Sequence, residues 1–192
     1  MNLSRDVETD KLIREGQSGN SEAIDKLIRK YAADVHRLIY SIMGNSDKVP
    51  DLAQETFLRI FSRLDQYRFQ SSFRAWIIQI AVNLCRDEFR KARVRKIISP
   101  LFPDSEDSIH SDDPGTRPDF KLERNETRQQ IIIALQKLDK SLRMVFTLRE
   151  IEGLPYEEIA RILNWRLGTV KSRLFRARKE LAGMLSHQLE DL

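Results

Sequence analysis

Residues 156–179 have the sequence YEEIARILNWRLGTVKSRLFRARK, which contains two amphipathic segments separated by a short turn. Asn164 lies in this turn, and asparagine tolerates the left-handed backbone conformation that often calls for glycine. Small Ala160 allows a second helix to cross the first closely. The apolar residues recur at steps of three and four, as on one face of a helix: Ile159, Ala160, Leu163, Val170, Leu174, Ala177 and Leu181. This pattern predicts a helix-turn-helix.

The second of these helices has a strongly basic surface. Lys171, Arg173, Arg176, Arg178 and Lys179 place five positive charges within nine residues that include no acid. Lysine and arginine suit DNA phosphates, whereas arginine, serine and aromatic side chains can also contact bases. Ser172 and Phe175 lie among these cations. The surface therefore favours DNA binding, and the alternative is a solvated basic helix in a plain bundle.

The rest of the chain is also predicted to be helical, because no strand pattern competes anywhere. A short helix is expected around 10–15, a long one from Asn20 or Ser21 to Gly44-Asn45, one following Pro50, and one from about 71 to 95. Four more are expected at about Glu126–Gln136, Leu142–Glu150, Tyr156–Leu163 and Thr169–Leu185. Residues 96–125 hold four basic and seven acidic residues and four of the six prolines. The expected fold is therefore all-α, with domains at 1–95 and 126–192 joined by a flexible acidic linker at 96–125.

Composition excludes several functional classes. The chain has 192 residues, a net charge of +4 and a single cysteine, Cys85, so no internal disulfide can form. Cys85 borders an apolar stripe and is expected to be a buried, inert thiol. The three histidines, His36, His110 and His187, are too scattered to predict a metal site. No catalytic motif, signal peptide or membrane span is evident, so we expect a cytoplasmic protein that is not an enzyme and has no cofactor or small-molecule substrate.

Two further surfaces are predicted in the first domain. In the helix from 71 to 95, one face carries the polar residues Gln79, Asn83, Arg86, Arg90 and Arg93, and Phe69, Phe73 and Trp76 lie near its start. Aromatic residues beside a basic face suit stacking on unpaired bases, although Phe73 is more simply a core residue. In the helix after Pro50, the expected buried stripe is Ala53, Phe57, Ile60, Phe61 and Leu64, and the opposite face carries Asp51, Gln54, Glu55 and Leu58. Spacing alone makes that second face an ordinary solvated one.

Three motifs in this order resemble the extracytoplasmic-function sigma factors, the smallest class of the bacterial sigma-70 family. They are DLAQETFLRIF at 51–61, FRAWIIQIAVNLCRDEFRK at 73–91, and LREIEGLPYEEIA at 148–160 continuing through GTVKSRLFRAR at 168–178. The last segment is most similar to the sigma-E type of envelope-stress regulators. The sequence departs from the family pattern in two places. Arg166 lies in the turn where the family often has a proline before Gly168, and Lys48-Val49-Pro50 replaces the more acidic lead-in common before the first motif.

The resemblance implies a role for each surface. The first domain would be the sigma-2 domain and the second the sigma-4 domain. The polymerase patch would bind the clamp helices of the polymerase largest subunit and comprises Asp51, Gln54, Glu55, Phe57 and Leu58. The minus-ten surface would recognise and open that promoter element and comprises Trp76, Gln79, Asn83, Arg86, Asp87 and Arg90. The loop at 66–72 would capture a flipped base. The minus-thirty-five surface comprises Arg149, Thr169, Lys171, Ser172, Arg173, Phe175 and Arg176.

The partners implied are core RNA polymerase, promoter DNA and an anti-sigma factor, which could hold the chain at the inner face of the membrane. Two other functions stay open on the residues alone. A free-standing helix-turn-helix regulator would bind duplex DNA tightly without polymerase, usually as a dimer. A helical interaction protein would have basic faces that are merely solvated, and promoter use would not depend on Arg176.

Overall fold

The computed structural model of the chain describes residues 6–44, 46–98 and 132–190. Within these ranges every regular element is a helix and no strand occurs, as the sequence predicts. No helix in the same ranges combines the length and apolar character that a membrane crossing requires. Most of the predicted linker, 99–125, and the predicted helical residues 126–131 lie outside the described residues.

Four helices form the N-terminal bundle: α1 (Val7–Gln17), α2 (Ser21–Met43), α3 (Lys48–Ser62) and α4 (Phe73–Ile98). Of the two residues expected at the start of α2, Asn20 and Ser21, it is the Asn20 side chain that caps the helix, by accepting hydrogen bonds from the amides of Glu22 and Ala23. At the other end Gly44 has φ 80°, a conformation that favours glycine. The apolar face of α2 is turned toward the core, with Ile24 and Ile28 half-buried at its margin; its buried residues are Leu27, Tyr31, Val35, Leu38, Ile39 and Ile42.

Three details of this bundle differ from the prediction. Helix α3 begins at Lys48, two residues before Pro50, because proline is tolerated within a first helical turn whose amides have no intrahelical partner. Its buried stripe includes Leu52 and Thr56, and the Thr56 hydroxyl is satisfied by the Leu52 carbonyl at 2.6 Å. Helix α4 continues to Ile98, so the first three residues assigned to the linker are helical.

The C-terminal bundle contains helical residues 132–137 (α5), α6 (Lys140–Phe146), α7 (Tyr156–Leu163) and α8 (Leu167–Glu190). The helix predicted at 142–150 is divided: α6 ends at Phe146 and a π-helical turn, Thr147–Ile151, follows it. Helix α8 begins two residues earlier and ends later than predicted.

The predicted helix-turn-helix is formed by α7 and α8. Asn164 ends α7 in the left-handed conformation, with φ 53° and ψ 50°, as the sequence indicates. The amide of Trp165 then bonds back to the Ala160 carbonyl at 2.9 Å, which closes the turn. The predicted inner face of α8 is buried and comprises Val170, Leu174, Ala177 and Leu181.

The two bundles are in direct contact. Helices α2 and α4 of the first pack against α6, α7 and the π turn of the second. A continuous set of buried apolar side chains runs from Ile13 in α1 to Leu174 in α8. Sequence periodicity predicts the buried face of α8, but it did not indicate this contact between the bundles.

Candidate polymerase and nucleic-acid interfaces

The polymerase patch is an exposed face of α3. Asp51 and Gln54 are exposed, and Leu58 retains 58% of its accessible surface. Glu55 is half-buried and accepts a hydrogen bond from Arg59 Nε at 2.7 Å. Phe57 lies at the margin of the core, where its ring stacks on Phe61 with a centroid distance of 6.1 Å. Phe57 therefore packs beneath the patch, whereas Leu58 presents apolar surface to solvent.

An aromatic cluster lies where the chain enters α4. The buried ring of Tyr67 is 4.9 Å from Phe69, 5.3 Å from Phe73 and 5.2 Å from Trp76, measured between centroids. The Tyr67 hydroxyl donates to the Ser71 carbonyl at 2.6 Å, which ties the loop back on itself. Phe73 is buried, as its expected core role requires, whereas Trp76 and Phe69 are half-buried.

Phe69 has an unusual backbone conformation. Its φ is 57°, in the left-handed region that a bulky residue seldom adopts, and this costs on the order of 1–2 kcal/mol. The Arg14 guanidinium lies 4.6 Å from the ring centroid. Strain of this kind clusters at functional sites, because the surrounding structure holds the residue in a required geometry. Phe69 belongs to the loop that the resemblance associates with base capture.

The minus-ten surface follows one face of α4. Gln79, Asn83 and Arg90 are exposed, and Arg86 and Asp87 are half-buried. Arg90 Nη2 donates to Asp87 Oδ1 at 2.5 Å, so this arginine is paired within the helix. The amides of Gln79 and Asn83 are available to external partners, and such amides can make bidentate contacts with bases. Together with Trp76, these residues share one surface next to the aromatic cluster.

The minus-thirty-five surface lies on α8 and the preceding turn. Lys171, Ser172 and Arg176 are exposed, and Phe175 retains 70% of its surface. Arg176 lies 3.9 Å from Glu180, a distance at which an exposed pair adds little. Thr169 is half-buried, and its carbonyl accepts the Ser172 hydroxyl at 3.1 Å. Most of this predicted surface is thus presented together along one helix face.

Three arginines near this surface are held by contacts within the chain. Arg173 lies over the Trp165 ring at 4.1 Å from the centroid. Arg149 lies over Tyr156 at 4.7 Å and donates from Nη1 to the Leu154 carbonyl at 2.9 Å. Arg178 donates to Glu150 at 2.6 Å, and this bond raises the pKa of its guanidinium. Sequence reasoning missed Trp165, for which the signal was an aromatic residue placed directly before a basic helix.

Other expectations concern chemistry. Cys85 is fully buried, and burial raises its thiol pKa to about 12, which agrees with an inert thiol. Among the described residues, no group of three or more His, Cys, Asp or Glu side chains could hold a metal. His36 is exposed, and His110 lies outside the described residues.

Comparison with known proteins identifies the family. The family description "Sigma-70 region 2" matches residues 27–95, and "Sigma-70, region 4" matches residues 128–181. The ECF RNA polymerase sigma-E factors of Salmonella typhimurium and Escherichia coli K12 are 32% identical over 184 residues, covering 93% of this chain and 95% of theirs. The Haemophilus influenzae ECF sigma-E factor is 30% identical over 191 residues, covering 94% and 95%.

Solved structures agree with these sequence matches. The sigma factor RpoE of Bartonella quintana, solved with the anti-sigma factor NepR, is 26% identical with a TM-score of 0.62, over 84% of this chain and 96% of that one. The fold also matches CnrH, solved with the cytosolic domain of CnrY, at a TM-score of 0.64 and 24% identity over 94% and 98%. The chain therefore belongs to the sigma-70 family, as one of its ECF RNA polymerase sigma factors. This is a family of transcription-initiation factors, and the expected resemblance is confirmed.

Proposed function

We propose that this sigma factor uses the polymerase patch on α3 to bind core RNA polymerase and two separate DNA surfaces to place it at a two-part promoter. The minus-ten surface on α4 recognises and helps to open the downstream element, and the minus-thirty-five surface on α8 binds the upstream element as duplex. The observation that carries the proposal is the exposure, on three different helices, of a patch with Leu58, an amide face with Asn83 and a basic face with Arg176.

The proposal assigns a different role to each bundle. Residues 1–95 supply polymerase binding and the minus-ten surface, 126–192 supply the minus-thirty-five surface, and 96–125 connect them. Two small surfaces on a tether give limited avidity for DNA alone, so polymerase is needed to fix their spacing. The chain itself carries out no catalysis in this scheme, and it uses no cofactor or small-molecule substrate.

An anti-sigma factor is the proposed regulator. The Bartonella quintana relative was solved in complex with the anti-sigma factor NepR, at 26% identity to this chain. A membrane-anchored antagonist would hold the chain at the inner membrane face until a stress signal releases it. Co-purification from a native membrane fraction, compared with the soluble fraction, tests this localisation.

Run-off transcription tests the function as a whole. Purified core polymerase is supplied with a library of randomised promoter fragments, with and without this protein. Selective transcripts that require the protein support the proposal and reveal both promoter elements. Tight duplex binding by the protein alone, without any such transcripts, would instead indicate a free-standing regulator.

A charge reversal tests the polymerase patch separately. Glu55→Lys should weaken assembly with core polymerase by about tenfold. The substitution replaces a negative charge at the proposed interface with a positive one, which would no longer match the charge of the polymerase surface. The helix should remain intact, since position 55 is not in the core. Lys26→Glu, an exposed charge reversal on α2, is the matched control. Wild-type retention of Glu55→Lys in a pull-down would contradict the assignment.

A further inference from the structure

Helix α1 holds the loop that leads from α3 into α4. Gln17, the last residue of α1, donates from Nε2 to the Leu64 carbonyl at 2.8 Å and to the Tyr67 carbonyl at 3.0 Å. Both partners can only accept, so the amide nitrogen of Gln17 faces the loop and uses both of its hydrogens there. This one side chain therefore fixes the start of a short 3-10 helix, Leu64–Gln66, and the residue that follows it.

The same side of α1 approaches that 3-10 helix closely. Gly16 is buried, and a Cβ at this position would lie 2.9 Å from Leu64 Cδ2. Glycine lowers the stability of a helix relative to alanine, and here its small size allows the two elements to meet. Ile13, one turn earlier, is fully buried in the core, so this side of α1 cannot turn away from the loop.

The other end of α1 is tied to α2. Asp6 caps α1 by accepting a hydrogen bond from the Thr9 amide at 3.2 Å. Its carboxylate also pairs with Lys30 Nζ at 2.5 Å, and the hydrogen bonds from Lys30 and Thr9 lower the pKa of Asp6 to about 2. Helix α1 is therefore held at its start by α2 and along its length by the core, and its last turn holds the loop.

Phe69 is held from the same helix. Arg14 lies three residues before Gln17, so the two side chains share one face of α1. The Arg14 guanidinium lies 4.6 Å from the Phe69 ring centroid, and the Tyr67 ring centroid lies 4.9 Å from it. A bulky residue with φ 57° persists only where its surroundings hold it there. Two contacts around Phe69 thus depend on α1, one directly through Arg14 and one through Gln17, which fixes Tyr67.

We propose that Arg14 and Gln17 are positioning residues, which hold the loop at 66–72 in the conformation that lets Phe69 capture a flipped base while the promoter opens. The part played in opening rests on the proposed minus-ten function, whereas the hold of α1 on the loop does not. In this scheme α1 acts through Phe69 and makes no base contact of its own. Loss of either side chain should therefore slow opening and leave the initial, closed promoter complex unchanged.

The first test follows the loop in the free, full-length protein by hydrogen exchange. Two backbone hydrogen bonds close the 3-10 helix, at 3.0 and 3.1 Å, so its amides report on the loop. Gln17→Glu keeps the size of the side chain but replaces its donors with acceptors, and exchange in the peptide 64–72 should accelerate roughly fivefold. Ser18→Glu places the same charge on the next residue, which is exposed, and should leave exchange unchanged. Unchanged exchange in Gln17→Glu would show that α1 does not hold the loop.

The second test separates promoter binding from promoter opening. A base analogue in the minus-ten element, on a promoter recovered from the run-off library, gives the opening rate at several concentrations of the protein bound to core polymerase. Gln17→Glu should lower the maximal opening rate roughly fivefold and leave the half-saturating concentration unchanged, whereas Ser18→Glu should match wild type. A variant that was only less stable would lower the signal amplitude but not the rate. An unchanged rate together with faster exchange would overturn the role of α1 in opening.

Arg14 is tested against another cation on the same helix. Arg14→Met should slow opening about two- to fivefold, as expected for loss of an exposed cation–π contact, and Arg14→Lys should restore most of the rate. Lys11→Met removes the same charge from α1, but Lys11 pairs with Glu15 on the helix itself at 3.8 Å, so opening should be normal. Equal losses for Arg14→Met and Lys11→Met would show that only the charge of α1 matters, and would overturn the role of Arg14.

A double-mutant cycle shows whether α1 acts through Phe69. In a Phe69→Ala background, Gln17→Glu and Arg14→Met should have almost no further effect on the opening rate. A full further loss would mean that these side chains act on DNA themselves, and would overturn their positioning role. If Phe69→Ala opens promoters at the wild-type rate, or if no transcript forms, the proposed minus-ten function of the loop fails. Hydrogen exchange in the free protein still decides, in that case, whether α1 holds the loop.

Discussion

The two surfaces proposed to bind DNA, on α4 and on α8, differ in how their side chains are held. On and beside α8, arginines are fixed by their own chain: Arg173 lies over Trp165 and Arg178 is bonded to Glu150. On α4, Gln79 and Asn83 are exposed, and the unusual geometry lies in the adjacent loop, where Phe69 has φ 57°. Fixed cations suit a regular duplex, whose phosphates and base edges lie at constant positions. Exposed amides beside a strained aromatic loop suit bases that have left the duplex.

The largest effect is expected from the exposed arginine of α8. Arg176→Ala should cost about 1–3 kcal/mol at the upstream element, because a bidentate base contact is lost, and it should change sequence preference there. Arg178→Ala is the matched control, since it removes the same charge from the same helix but from a side chain bonded to Glu150. Binding titrations of both variants, in complex with polymerase, measure the difference. An equal loss for both would show that α8 contributes only general electrostatics.

An intermediate effect is expected in the aromatic loop of the other surface. Phe69→Ala should slow promoter opening by roughly tenfold, since loss of base stacking costs about 1–3 kcal/mol per base. Phe69→Tyr retains the ring and should open promoters at close to the wild-type rate. Fluorescence of a base analogue in the minus-ten element follows opening directly. Promoter opening at the wild-type rate by Phe69→Ala would contradict the proposed difference between the α4 and α8 surfaces, because the strained loop would then have no part in capturing a base.

The smallest effect is expected from Trp165. Trp165→Leu should weaken upstream binding by roughly two- to fivefold, because an exposed cation–π contact contributes about 0.5–1 kcal/mol to holding Arg173. In an Arg173→Ala background, the same change should have almost no further effect. This double-mutant cycle distinguishes a positioning role from a structural one. A full, additive loss in that background would mean that Trp165 acts through the fold of the turn.

Local features of both surfaces could be predicted from the sequence. Asn164 was expected in the left-handed turn and is found there, because the requirement depends on only a few neighbouring residues. The exposed face of α3, including Leu58, follows from helical spacing alone. The start of α3 differs from the prediction, which places the helix after Pro50, whereas Pro50 lies within a first turn that begins at Lys48.

Contacts between residues that are distant in the sequence could not be predicted from the sequence pattern. Glu152 and Arg74 are 78 positions apart, and nothing in the periodicity around either residue indicates that they pair. A carboxylate near the start of a helix is usually solvated. The burial of Glu152 therefore depends on the packing of the other bundle against it, which the sequence pattern does not indicate. Arg149 was assigned to DNA by resemblance, and its bond to the Leu154 carbonyl could not be inferred from spacing.

The measurement that tests the central claim most directly is run-off transcription from a randomised promoter library, with wild-type protein, Arg176→Ala and Asn83→Ala compared side by side. The account predicts that Arg176→Ala changes sequence preference only in the upstream element and Asn83→Ala only in the downstream one. If either variant changes both elements, or if neither changes any, the division of promoter recognition between α8 and α4 is wrong.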